Sequence, residues 1–426
     1  MNWAKTAAAS LLFIVLVALG ARTLFAWSQI RLIPNAAIAT VPFQNETGHI
    51  AYSLASGKGF ASPFERDTGP TAWLAPVYPA LLAGIFRTFG IYTRASFLAA
   101  ISLNILFSCA TCIPIFHAGR RVAGLGVASL AAWLWALLPN AIMMPFEWIW
   151  DTSLSALLAA TILWATVEVA ESQRLRDWCL YGLLWGLALM TNPALASVLP
   201  FLLVWLVYRK RQAGRAHAFA RPALAAGIAL LCCMPWTVRN YLIFHRFVPV
   251  RSNFGFELYI GNNENYDERR RNLPATITKE REELRYLRMG EMPFMDEEKR
   301  KAVDFIRSHP RVELELFAKR CVDFWVGTAI PIQTFRESGS LLIRVILLGN
   351  FLSFAGAVIG IGVLIRNRSS YACPFAIFII AFPMLYYVTH TSLRYRHPVD
   401  PIALLLTAIS AHALMHSVSW KRVEAD

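Results

Sequence analysis

Two stretches decide how the chain is read: residues 7–27, AAASLLFIVLVALGARTLFAW, and residues 341–365, LLIRVILLGNFLSFAGAVIGIGVLI. Each exceeds twenty residues and carries a single charged side chain, Arg22 in the first and Arg344 in the second. A helix rises about 1.5 Å per residue, so about twenty residues cover the ~30 Å hydrocarbon layer of a bilayer. The 426-residue chain as a whole has the same character, with 56% of residues hydrophobic and 16% charged. Ordinary soluble domains run at about 45–50% and about 25%. The reading is an all-α polytopic membrane protein, because a helix satisfies its own backbone polar groups in lipid.

Working outward, apolar runs at about 7–27, 95–117, 122–139, 152–170, 178–191, 195–208, 222–242, 340–365, 371–389 and 399–417 predict about ten crossings. A further run, Trp73 to Phe89, is decided by parity. Left out of the count, it puts Arg120, Arg121, Arg174, Arg176, Arg209, Lys210, Arg211, Arg366, Arg368, Lys421 and Arg422 on the side of Lys5. The short opposite loops, 140–151 and 192–194, then contain no Lys or Arg, as the positive-inside rule requires. Counted as a crossing, it would invert every later loop. With Pro70, Pro76 and Pro79 near its start, the run reads as a juxtamembrane or re-entrant helix.

Three divisions follow: an N-terminal transmembrane module, 1–242, with a first outer loop at 28–94; an extracytoplasmic segment, 243–339; and C-terminal transmembrane helices, 340–426. In the outer segment, Asp296 to Phe324 reads as amphipathic helix interrupted at Pro310. Val303, Phe305, Ile306, Leu314, Leu316 and Phe317 fall on one side, and Lys299, Arg300, Lys301, Arg307, Lys319 and Arg320 on the other. Such a helix can lie along the membrane interface or cover the membrane domain.

Composition excludes several classes. A net charge of +14 would suggest nucleic acid in a soluble protein, but basic cytoplasmic loops account for it, and no basic–aromatic binding module is present. Six of the seven cysteines fall in apolar runs, so no disulfide framework is implied; Cys109 and Cys112 read as small buried thiols. The first apolar run, with Arg22, Phe25 and Trp27, fits a retained span better than a cleaved signal peptide.

Against this background some charges are out of place. Arg394-Tyr395-Arg396-His397-Pro398 puts two arginines and a histidine at the outer mouth of the last span. Arg239-Asn240 sits likewise at the end of its span, and Arg251 follows. Such side chains can snorkel to headgroups; several converging on one face suggest an anionic ligand, since arginine's planar fork suits phosphate. Carboxylates share that face. Asn45 predicts an N-cap for a flat helix running to Ser56, with Glu46 in its first turn; Glu147 and Asp151 flank Trp148-Ile149-Trp150. Glu46 and Asp151 read either as helix caps or as catalytic acids. Carboxylates with arginines beside lipid fit group transfer from a lipid phosphate. A carboxylate takes the acceptor's proton and fixed arginines stabilise the departing phosphate. No nucleotide loop, Ser-His-Asp pattern or zinc spacing is visible.

At these residues the chain resembles the GT-C fold membrane glycosyltransferases, in particular bacterial homologues of protein O-mannosyltransferases and lipid A aminoarabinose transferases. The stretches that carry the resemblance are Ile50 to Phe60, Gly69 to Pro79, Pro235 to Tyr241 and Arg394 to Pro398, in that order. The resemblance implies a GT-C-like bundle of about ten transmembrane helices, with juxtamembrane helices in the first outer loop and a small outer-face segment. It implies a sugar moved from a polyprenyl-phosphate donor to an acceptor by inverting displacement, with the site facing outward from a bacterial cytoplasmic (inner) membrane. The family's first-loop acidic pair, counted back from Leu54 and Gly57, falls on Phe43 and Gln44, where this chain departs; Glu46 is the nearby acid and the expected base. Asp151 matches the family's second acidic position. His49, Tyr78, Glu147, Arg239, Asn240, Arg251, Arg394, Tyr395, Arg396 and His397 are the expected substrate-binding residues. A divalent metal is conceivable, with His49, Glu65, Asp67, His245 and His397 as ligands, but no spacing demands one. The expected partners are the lipid-linked donor, membrane lipids and an acceptor that is lipid, protein or glycan; nucleic acid is not expected. A flippase for a lipid-linked sugar and a non-catalytic envelope-assembly scaffold are the alternatives.

Overall fold

The computed structural model describes residues 10–33, 43–214, 217–264, 277–327 and 341–415. They form helices joined by turns; the one β pairing among them is an isolated antiparallel bridge between Ala61 and Pro70. Helix α1 (Leu11–Ile30) leads to a loop carrying α2 (Glu46–Ala55) and α3 (Val77–Phe89). Next, α4 (Arg94–Ala110) continues as α5 (Cys112–Ala123), and α6 (Leu125–Leu137) bends by 48° into α7 (Pro139–Glu147). Then come α8 (Thr152–Glu171), α9 (Leu175–Thr191), a 3-10 turn (Pro193–Ser197), α10 (Leu199–Gln212) and α11 (Ala220–Phe244). The following segment holds α12 (Phe254–Gly261), α13 (Ile277–Met289), α14 (Glu291–Ser308) and α15 (Pro310–Val326). The chain closes with α16 (Leu341–Arg366), α17 (Ala372–Val388), a short α18 (Leu393–Arg396) with a 3-10 turn (His397–Val399), and α19 (Asp400–Met415).

Among the described residues, 6 helical spans are long and apolar enough to cross a membrane, or 7 if α6 and α7 count as one. The protein is therefore an integral, multi-pass membrane protein. Within the described residues each expected segment overlaps helix, but 178–191, 195–208 and 371–389 fall on helices of 17, 14 and 17 residues, shorter than the spans counted above. Helix α3 has 13 residues, about 20 Å at the helical rise, which is short of the hydrocarbon layer.

The α6–α7 bend shows how one proline organises the bundle. Pro139 has no N–H for the Trp135 carbonyl, and it holds Leu138 extended (φ −61°, ψ 121°). The orphaned carbonyls of Trp135 and Ala136 accept from the Arg22 guanidinium at 3.2 and 3.0 Å, and Arg22 also donates to Ser108 Oγ at 2.8 Å. Arg22 is fully buried inside the first span; its charge is met by backbone dipoles that the break exposes.

Two ends of the bundle separate clearly. Arg209 pairs with Glu171 at 3.1 Å, Lys210 donates to the Ser172 carbonyl at 2.8 Å, and Tyr371 lies in the field of Arg121, Glu171 and Arg209. Helix α8 has 20 residues, so Asp151, just before its first turn, lies about 30 Å from that basic end.

Among the described residues of 243–339, the two helices expected around Pro310 are α14 and α15. Helix α14 packs on α12, and α15 packs on α16 and α17. Both faces of the expected amphipathic pattern fail along α15. Arg320, placed on the polar face, is 1% exposed, while Leu314, placed on the apolar face, is 70% exposed. The reason is the shape of the seat: Arg320 donates to the carbonyls of Gly261, Tyr387 and Val388 at 2.6, 3.0 and 3.2 Å, closing the end of α17 onto α12. Glu291 stitches this segment to the first loop, accepting from Ala72 N at 2.8 Å, Ser252 Oγ at 2.6 Å and Tyr286 Oη at 2.6 Å.

Candidate active site

The end of the bundle opposite the basic loops holds a cavity of about 250 Å³, lined in part by Trp150, Asp151, Asn192, Arg251, Phe254, Glu257, Tyr386, Arg394 and Tyr395. A side cavity of about 20 Å³ adjoins it, sharing Trp150, Asp151 and Arg251 and adding Thr47 and Tyr78. Six separate stretches of chain therefore meet here, around residues 47, 74–79, 150–152, 191–194, 251–257 and 385–398.

The first is α2. Asn45 caps it as expected, its side chain accepting from Gly48 N at 3.0 Å. Gly48 is required at this spot, since a Cβ there would lie 2.0 Å from the Phe43 carbonyl oxygen. Phe43, at the position where an acid was sought, is 1% exposed and packs edge-on against Phe86 and Phe97. Glu46 is half-buried, and its charge acts on Arg394.

Asp151 stands at the N-cap position of α8, yet its side chain caps no backbone N–H. It accepts instead from Ser155 Oγ at 2.9 Å, and Ser155 accepts from Asn192 Nδ2 at 3.2 Å. Burial pushes the Asp151 carboxyl above its ordinary range; the Ser155 hydrogen bond and the charges of Arg394 and Arg251 pull the other way. A carboxylate held by one hydroxyl, lining a cavity and raised toward neutrality, has the character of a general base.

The Arg394 guanidinium lies over aromatic rings, 4.3 Å from the Trp150 centroid and 4.9 Å from that of Trp148. Its one hydrogen bond among the described residues is to Tyr395 Oη at 3.2 Å. A cavity-lining guanidinium with a single hydrogen bond has further N–H groups to give to an anion. Arg251, on the approach to α12, contacts Asn253 Oδ1 and lies 3.4 Å from Glu257 Oε1.

Glu257 and His390 were missed in the sequence. Glu257 sits on the eight-residue α12 between apolar neighbours, and His390 lies in the turn after α17. His390 Nδ1 is 3.5 Å from Glu257 Oε2, and Nε2 is 3.3 Å from Tyr395 Oη. Gly261 made this closure legible in principle. A Cβ there would lie 1.8 Å from the Thr389 carbonyl oxygen, so α12 and the His390 turn touch backbone to backbone.

Other expected residues lie elsewhere. Arg239 donates to the carbonyls of Thr71 at 2.6 Å and Phe60 at 2.9 Å, and Asn240 to that of Val248 at 3.0 Å; both fasten the first loop and the chain after α11. Arg396 is fully buried, 2.6 Å from Asp400, and bonds Ser353 Oγ and the Trp325 carbonyl. His397 is also fully buried, beside the Trp135 ring and 3.6 Å from Asp400. Tyr78 donates to Asn104 at 2.9 Å and lines the side cavity, Glu147 is exposed at the end of α7, and His49 is half-buried in α2. Of the conceivable metal ligands, Asp67 pairs with Lys58 at 3.6 Å and His245 ends α11 in a left-handed conformation. Among the described residues no group of three His, Cys, Asp or Glu is placed to hold a metal ion.

Residues 74–238 match the family model described as dolichyl-phosphate-mannose-protein mannosyltransferase. That stretch contains Tyr78, Glu147 and Asp151 and stops before Arg251. No curated protein matches the chain. Among solved structures, the chain is similar to the apo oligosaccharyltransferase of Archaeoglobus fulgidus, with a TM-score of 0.59 and 14% identity over 96% of this chain and 50% of that one. The same organism's oligosaccharyltransferase AglB, in complex with an inhibitory peptide and a dolichol-phosphate, matches with a TM-score of 0.54 and 15% identity over 99% and 52%. ArnT from Cupriavidus metallidurans, bound to undecaprenyl phosphate, matches with a TM-score of 0.50 and 14% identity over 91% and 60%. The chain spans about half the length of the oligosaccharyltransferases it matches. At these identities the likeness is one of fold, and the fold is GT-C-like.

Proposed function

We propose that the chain is a glycosyltransferase that moves a sugar from a polyprenyl-phosphate donor to an acceptor at the extracytoplasmic face of a bacterial inner membrane. The observation that carries the reading is a single cavity lined by Asp151, Arg251 and Arg394, at the end of the bundle away from the basic loops. The neighbours that hold dolichol-phosphate and undecaprenyl phosphate support the donor class.

The chemistry follows from the lining. The acceptor hydroxyl attacks the anomeric carbon from the face opposite the phosphate. Its proton passes to the Asp151 carboxylate, the bond between the anomeric carbon and the phosphate oxygen breaks, and the electron pair leaves on the polyprenyl phosphate. Configuration at that carbon inverts. Arg251 and Arg394 meet the charge that grows on the departing phosphate. Because Asp151 lines the cavity, it takes the role of base, and Glu46 tunes Arg394 through its charge. The apolar lining, including Leu74, Phe254 and Leu385, suits the first isoprene units.

The test is transfer of radiolabelled sugar from a polyprenyl-phosphate donor by the full chain in nanodiscs. Asp151→Asn is expected to lose about 10²–10⁴-fold in rate, the usual contribution of a positioned base. Equal transfer by the variant and the wild type would remove Asp151 from the chemistry. Movement of intact donor across vesicles without transfer would favour a flippase.

A further inference from the structure

We propose that Glu257 and His390 are positioning residues that hold the two cavity arginines as one anion-recognising pair, an inference that rests on the reading of Arg251 and Arg394 as the donor-phosphate site. Two guanidinium groups on one small cavity repel each other, so a fixed negative charge between them is needed to keep both turned inward. Glu257 is placed to supply it to both. One oxygen, Oε1, accepts from Asn253 Nδ2 at 2.8 Å and lies 3.4 Å from Arg251 Nη2. The other, Oε2, reaches Arg394 indirectly, through His390 and Tyr395.

The donor inventory fixes the direction of that chain. Arginine has no acceptor, so Arg394 N–H donates to the Tyr395 oxygen. The Tyr395 proton then turns to His390 Nε2, and the remaining His390 N–H, on Nδ1, is shared between the Glu257 main-chain carbonyl at 3.4 Å and the Glu257 carboxylate oxygen Oε2 at 3.5 Å. Every donor in the chain points from Arg394 toward Glu257, so each bond polarises the next. The charge of Glu257 also acts on Arg394 directly. The chain is held from outside as well. Tyr395 stacks on Tyr386 at 4.8 Å, and α12 is seated on the His390 turn through Gly261. A ligand phosphate therefore meets two arginines whose edges are already set, which lowers the ordering cost of binding.

The probe is undecaprenyl phosphate, titrated into the full chain in nanodiscs and followed by tryptophan fluorescence, since Trp148 and Trp150 lie against Arg394. Glu257→Gln and Tyr395→Phe are each expected to weaken binding about tenfold, the scale of one hydrogen bond to a charged group. The double variant should be no weaker than Glu257→Gln alone, because both cut one chain. In turnover, the donor KM should rise while the acceptor KM stays unchanged. Tyr395→Phe keeps the ring and its stacking, so it remains informative if Glu257→Gln folds poorly. Unchanged binding by both variants, with Arg394→Ala still weakening it, would overturn the positioning role; so would a double variant whose loss equals the product of the singles. Unchanged binding by Arg394→Ala and Arg251→Ala would overturn the phosphate site itself.

Discussion

Arg239 and Arg394 read alike in the sequence: each is an arginine at the outer end of a span, followed by a polar side chain. The structure puts them to opposite uses. Both guanidinium groups lie over aromatic rings, Arg239 at 4.8 Å from the Trp236 centroid, but Arg239 gives its N–H groups to the carbonyls of Thr71 and Phe60 and to Asn240. Arg394 lies over the Trp150 and Trp148 rings and makes one side-chain hydrogen bond among the described residues, to Tyr395. A guanidinium that meets carbonyls is satisfied by the fold and ties loops together. One that rests on rings, makes a single hydrogen bond and lines the cavity keeps N–H groups for a ligand. What an arginine touches, rather than where it lies in the chain, separates scaffold from site.

That difference can be broken most forcefully by truncation. Arg394→Ala should lower transfer by about 10²–10³-fold, the cost of losing one donor to a developing oxyanion, with little change in thermal midpoint. Arg239→Ala should do the reverse, lowering the midpoint while the folded fraction transfers sugar within a few-fold of wild type. Similar losses of rate in both variants would erase the distinction. A second contrast lies within the last turn. Arg396→Met leaves Asp400 buried without its partner at 2.6 Å, and should cost about 3–5 kcal/mol of stability; Arg396→Met with Asp400→Leu should recover much of it, read by thermal melting in nanodiscs.

Smaller effects sharpen the acid side of the site. Asp151 is raised by burial and lowered by the Ser155 hydrogen bond. A base must be ionised, so transfer falls as pH drops through its folded pKa. Ser155→Ala removes a stabiliser of the carboxylate and should move that acid limb to higher pH, measured as log kcat/KM against pH. A shift to lower pH would contradict the assignment. Glu46→Gln, which removes a charge acting on Arg394, should cost less than about tenfold, as expected for a partly solvated charge interaction.

Much of the fold was legible because hydrocarbon thickness and positive loops constrain it strongly. The α2 cap at Asn45 and the helix break at Pro310 were also readable, since both depend on local chemistry. The site was readable in part. Arg394, Arg251 and Asp151 stood out as charges at span ends, and the cavity gathers all three. Arg396 stood out equally and lies on the other side: two residues along a helix turn about 200°, so Arg394 and Arg396 cannot face one cavity. Arg239 and Asn240 could not be separated from Arg394, because their partners are carbonyls contributed by distant loops. Glu257 and His390 were hidden for the same reason, being 133 residues apart and joined only by tertiary closure.

If acid and guanidinium serve one reacting centre, a kinetic cycle over Asp151→Asn, Arg394→Ala and the double variant reveals it. Measured as kcat/KM for transfer from a polyprenyl-phosphate donor, the double variant is predicted to lose much less than the product of the two single losses, because groups acting on one transition state are not additive. A loss equal to that product would mean that the two side chains work at separate places.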